Sequence, residues 1–238
     1  MEETETLVRS TDAVGPKWLG LCRIGGVSML IAGPLFIILA ALAIALAPSL
    51  VSTNAALKNL AGQSILLQTD IGLAILSDLL VIPAALALYL ALRGINKKAM
   101  PVASGFLCLF VVLDLGIALP NFLSLLTTSQ NYLAATSDAL RATYVASMNN
   151  QFSTLSLVLP ICAFLVPSIG SLVASFVMLG GIFRRLVAHV GIVASFAGIL
   201  VGFSILLPAL GNLNLVSLPL FGIWFVLAGT RLYRMGKQ

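Results

Sequence analysis

Between Arg23 and Lys58 the chain carries no charged residue, and residues 24 to 47 are 24 consecutive apolar or weakly polar positions. As a helix this run is about 36 Å long at 1.5 Å per residue, more than the roughly 30 Å hydrocarbon core of a bilayer. Runs of the same kind recur at about 69–92, 101–125, 152–180, 187–210 and 213–232. Pro101 opens the third, a position where its missing N–H has no helical partner to lose. With 60% hydrophobic and only 9% charged residues the chain cannot keep a soluble surface hydrated, since soluble folds run near 25% charged. A soluble enzyme fold, a disordered chain and a nucleic-acid-binding module are excluded, despite the net charge of +5. The expected fold is all-α: a polytopic integral membrane protein with a six-helix bundle over residues 17–238. Residues 1–16, with Glu2, Glu3, Glu5 and Asp12, form a polar arm.

The basic residues set an orientation. Arg9, Lys17 and Arg23 precede the first span, Arg93, Lys97 and Lys98 join the second to the third, Arg184 and Arg185 join the fourth to the fifth, and Arg231, Arg234 and Lys237 close the sixth. The alternate side holds only Lys58 and Arg141. By the positive-inside bias both termini, and the arm, are expected in the cytoplasm and the chain in the cell (inner) membrane. Ala45-Leu46-Ala47 looks like a signal-peptidase site, yet the run before it is too long for a signal peptide and reads as an uncleaved span. Two stretches outside the spans, 48–66 and 127–150, carry helix-start residues, Ser52-Thr53-Asn54 and Thr136-Ser137-Asp138, and are expected to form short helices on the outer surface.

Asp78 and Asp114 are the candidate site. Asp78 stands 15 residues from Arg93 and Asp114 stands 16 from Lys98, which puts both about 22 to 24 Å from the cytoplasmic charges, near or slightly outside the midplane. Spans joined by a short loop are neighbours, so two carboxyl groups at one depth could share a proton or a cation. Asp70 lies about 12 Å further out on the same helix, Ser77 shares its face, and Asn121 follows Asp114 by seven residues; together they outline a polar track. The alternative is structural: each carboxyl bonds a serine, or a carbonyl freed by Pro83 or Pro120, and ties helices together. In span four Pro160 and Pro167 are candidate helix breaks beside a cavity. In span five Gly191, Ala194, Gly198 and Gly202 form a small-residue face for close packing. His189 reads as an interfacial residue, and Cys22, Cys108 and Cys162 as small buried hydrophobes.

No haem ligand pair, HExxH, P-loop or GxGxxG is present, and no cofactor or metal is expected. Paired aspartates with Pro208-Ala209-Leu210 look like the intramembrane aspartyl proteases, but Leu113-Asp114-Leu115-Gly116 departs from that family's glycine-x-glycine-aspartate. Arg23-Ile24-Gly25-Gly26, and Leu76-Ser77-Asp78-Leu79-Leu80 running on through Ala87-Leu88-Tyr89 to the loop from Arg93 to Lys98, resemble a family of uncharacterised six-span prokaryotic integral membrane proteins catalogued as a domain of unknown function. The resemblance covers most of the chain. Where that family has a histidine at the start of span four, this chain has Asn149-Asn150-Gln151. It implies six helices and a prokaryotic membrane, and no activity. Two functions remain: passage of a small solute or ion coupled to protons through Asp78 and Asp114, or a non-catalytic module. The module would bind a partner membrane protein, lipid or a second copy through its small-residue faces. The protease is a remote third. The expected partners are the bilayer and such a protein, and no nucleic acid.

Overall fold

The computed structural model describes residues 18–46, 60, 62–181 and 183–237. Among them all regular structure is helical, and six helices are long and apolar enough to cross a membrane: α1 (Leu19–Leu46), α2 (Ser64–Leu92), α3 (Ala99–Ala134), α4 (Asp138–Leu179), α5 (Arg185–Ile205) and α6 (Pro208–Met235). A helix satisfies its own backbone donors and acceptors, the one requirement that lipid imposes on any segment it surrounds. The arm at 1–16 and nearly all of the short helix expected at 48–66 lie outside the described residues.

The second expected surface helix, at 127–150, is not a separate element. α3 runs unbroken to Ala134, and α4 starts at Asp138 with the Ser137 hydroxyl accepting from Leu140 N–H at 3.3 Å. Polar residues end a hydrophobic run but do not stop a helix, and neither 121–134 nor 138–159 contains a glycine or proline. At 36 and 42 residues, α3 and α4 are about 54 and 63 Å long, some 20 to 30 Å more than a hydrocarbon core requires. Gln151 clamps the overhanging pair: its Nε2 lies 2.8 Å from Ser124 Oγ, 3.0 Å from Thr128 Oγ1 and 3.2 Å from Ser147 Oγ.

The six helices form a closed ring in which each packs on its sequence neighbours and α6 returns to α1. Successive helices run up and down. The 92–99 and 179–185 connections, the start of α1 and the end of α6 therefore share one end, marked by Arg23, Arg93, Lys97, Lys98, Arg184, Arg185, Arg231, Arg234 and Lys237. Ring faces reach these cations: the Arg23 guanidinium lies 6.0 Å from the Tyr233 ring, Lys237 Nζ 4.9 Å from it, and Arg93 6.0 Å from Trp18.

Closure of the ring rests on glycines seven residues apart. A Cβ on Gly26 would stand 2.5 Å from Tyr233 N and 3.0 Å from the Gly229 carbonyl oxygen, and one on Gly229 would stand 2.9 Å from the Gly26 carbonyl oxygen. Gly33 and Gly222 repeat the relation, each 2.6 Å from the other's carbonyl oxygen. The two backbones touch at two points, which only glycine permits. Gly229→Leu is therefore expected to lower the detergent melting temperature markedly, by overpacking of about 1–3 kcal/mol. Ile223→Phe, on the exposed face of the same helix, should leave it nearly unchanged. Equal effects in a thermal melt would show that the α1–α6 contact is not the tight one.

Candidate functional site

Two apolar clusters fill the ring. The larger, toward the basic end, includes Val81, Ala84 and Leu88 of α2, Leu107 and Val111 of α3, Val166, Ala174 and Met178 of α4, and Trp224 of α6. The smaller, toward the far end, includes Leu67 and Ile71 of α2, Leu125 of α3, and Met148 and Leu155 of α4. They part at one level. On α2 that level holds Asp78; on α3 and α4 it holds two stretches of π-helix, Asp114–Ala118 and Pro160–Leu165.

Both π turns have the same cause. Leu119 N–H donates five residues back, to the Asp114 carbonyl, and the next residue, Pro120, has no N–H. The Leu115 carbonyl thereby loses both of its helical donors. On α4, Val166 N–H donates to the Ile161 carbonyl and Pro167 follows, which does the same to the Cys162 carbonyl. Single π turns of this kind recur at functional sites because they turn backbone acceptors out of the helical ladder.

At this level the Asp78 and Asp114 carboxyl groups are within electrostatic range of each other. Asp78 is 3% exposed and Asp114 half-buried. Neither Asp78 Oδ2 nor Asp114 Oδ1 receives a hydrogen bond from another described residue. A hydrogen bond between two carboxyl groups needs one proton, so the pair can exist as a singly protonated, singly charged unit. Cys162, in the α4 π turn, lies within electrostatic range of Asp114. Among the described residues no group of three His, Cys, Asp or Glu side chains is placed to hold a metal ion.

The other residues of the anticipated track do not join the pair. The Ser77 hydroxyl is buried and donates to the Ala74 carbonyl at 2.8 Å, while Asn121 Nδ2 donates to the Ile117 carbonyl at 2.7 Å. Each satisfies its own helix, the local bond that short polar side chains make when no stronger partner competes. Asp70 lies two turns from Asp78, half-buried. His189 is exposed, with Nδ1 2.7 Å from the Arg185 carbonyl oxygen. Pro208-Ala209-Leu210 opens α6 as a 3-10 turn packed mainly on α5 rather than on the aspartates' helices.

The α5 small residues Gly191, Ala194, Gly198 and Gly202 are all buried. The Ser175 hydroxyl and Trp224 Nε1 press on Gly191, the Ser168 hydroxyl with Phe221 and Ser217 on Gly198, and Leu165 on Gly202. Ser195 Oγ lies beside them, donating to the Gly191 carbonyl at 2.7 Å and 3.1 Å from Ser171 Oγ. Comparison with protein-family models, with curated proteins and with solved structures returned no match.

Two features went unread in the sequence: the proximity of Cys162 to Asp114, signalled only by its place between two prolines, and the seven-residue glycine spacing in α1 and α6. If the carboxyl groups form one unit, the single changes Asp78→Asn and Asp114→Asn are not additive. A double-mutant cycle on detergent unfolding should give a coupling of about 0.5–3 kcal/mol. A coupling near zero would mean that each side chain is held by its own helix.

Proposed function

We propose that this is a proton-coupled passage for a small solute or ion, with Asp78 and Asp114 as the shared titrating unit and the α4 π turn at Pro160–Leu165 as the flexible wall. One observation carries the reading. Two carboxyl groups meet in mid-bundle, with no donor from another described residue on Asp78 Oδ2 or Asp114 Oδ1, at the level where two of the three surrounding helices leave regular winding. Burying two acids is unfavourable by several kcal/mol unless they share charge, and a structural tie between α2 and α3 would need only one hydroxyl. The basic end faces the cytoplasm in this reading, with both termini, and the overhanging α3–α4 hairpin stands outside the cell membrane. The module reading is weaker, because the small-residue face of α5 is filled by α4 and α6 of the same chain.

Reporter fusions after Lys98 and Gln238 are expected to read cytoplasmic, and one at Gln130 external. In infrared titration of the purified protein, Asp78→Asn should move the pH at which the Asp114 carboxyl band is lost. An unmoved band would refute the shared unit, and an external C-terminus would refute the orientation.

A further inference from the structure

We infer that the basic end binds anionic phospholipid, with the head group held by Arg23 and Lys237 where α1 and α6 meet and an acyl chain laid along the outward face of α1. Every charged side chain described at this end is a cation. The four acids among the described residues, Asp70, Asp78, Asp114 and Asp138, stand at mid-bundle or toward the far end, where Asp138 pairs with Arg141 at 3.4 Å. Asp78 and Asp114 are 15 and 16 residues from Arg93 and Lys98, more than 20 Å along their helices and well beyond a Debye length. The charge of this end is therefore left for groups outside the bundle, and each lysine or arginine at a membrane surface strengthens the attraction of anionic lipid about fivefold.

The aromatic rings single out where the head group sits. The Arg23 guanidinium and Lys237 Nζ lie 6.0 and 4.9 Å from the same ring, that of Tyr233, although they come from opposite ends of the chain. The backbones beneath them touch as well, since a Cβ on Gly236 would stand 2.6 Å from Arg23 N. Both cations are exposed, so the N–H groups turned away from the ring are open to a phosphate, which accepts several charge-assisted hydrogen bonds at once. A third cation, Arg93 of α2, lies 6.0 Å from the ring of Trp18 at the start of α1, and Trp18 is itself exposed. Tyrosine and tryptophan rings at this depth sit among lipid head groups.

The surface below the cations is apolar and continuous. Val27, Ile31 and Ile38 follow Arg23 by 4, 8 and 15 residues, which places all of them on one side of α1, and all three are exposed. From Arg23 to Ile38 this face is about 22 Å long, more than the roughly 15 Å of one leaflet. A soluble phosphate would meet the cations alone, whereas a phospholipid meets the cations with its head group and this face with a chain. A zwitterionic head group brings a cation of its own, and no described acid stands at this end to receive it. The partner with the matching chemistry is a phospholipid of net negative charge.

In detergent melts of the full chain, phosphatidylglycerol should raise the melting temperature saturably, while phosphatidylcholine and glycerol 3-phosphate should not. Arg23→Gln combined with Lys237→Gln should raise the half-effective mole fraction of phosphatidylglycerol about tenfold. The charge-conserving pair Arg23→Lys with Lys237→Arg should keep most of the effect, and Arg141→Gln, at the far end, should leave it unchanged. Trp18 gives a second reading, because Trp224 is fully buried: chain-brominated phosphatidylglycerol should quench the fluorescence more strongly than chain-brominated phosphatidylcholine at the same mole fraction. Equal shifts from the two lipids, or a full shift in the double glutamine variant, would overturn the inference. So would an equal shift from glycerol 3-phosphate, which would make this a site for soluble anions. A response that emerges only after Glu2, Glu3, Glu5 and Asp12 are neutralised would overturn it too, and would give the face to that acidic segment.

Discussion

Lipid supplies no hydrophobic force between helices, so the ring must be held by contact itself, and the closest contact is the double crossing of α1 and α6. At Gly26 with Gly229, and Gly33 with Gly222, the backbones touch, and each added carbon would fall under 3.1 Å from a neighbouring backbone atom. This crossing brings Phe36 of α1 to 5.2 Å from Phe225 of α6, edge to face, and completes the aromatic wall behind Trp224. With longer residues at the four glycines the ring would open at this seam.

Across the ring, α5 uses the same device with a different partner. Its glycines receive serine hydroxyls from α4 and α6 rather than carbonyl oxygens. Ser168, Ser171, Ser175, Ser195 and Ser217 are all fully buried; Ser171 and Ser195 find acceptors on their own helices, whereas the Ser168, Ser175 and Ser217 hydroxyls fill space against α5 with no hydrogen-bond partner among the described residues. Both seams are tight, and the middle of α3 and α4 is where the winding departs from α.

Much of this was legible in the sequence, for identifiable reasons. Six spans follow from apolar runs that no soluble fold could tolerate, and the common end follows from basic residues that cannot sit in lipid. The equal depth expected of Asp78 and Asp114 follows from counting residues back from Arg93 and Lys98, since equal counts on adjacent antiparallel helices mean equal depth. The overhang of α3 and α4 was not legible, because polar residues such as Thr127, Gln130 and Thr143 end the hydrophobic signal without supplying a stop. Nor was the winding, which depends on where each proline's missing N–H falls relative to its neighbours. Ser77 and Asn121 share a face with the acids, but a face does not reveal that each side chain is already bonded to its own backbone.

The π turn in α3 also changes how this helix should be compared with any other. Five residues per hydrogen-bonded step take up about one residue more than an α turn, and one residue is a rotation of about 100°. Removing one residue between Asp114 and Ala118 would restore regular α winding and leave both halves of the helix facing as they do, so these five residues are where α3 can change its length without turning either half.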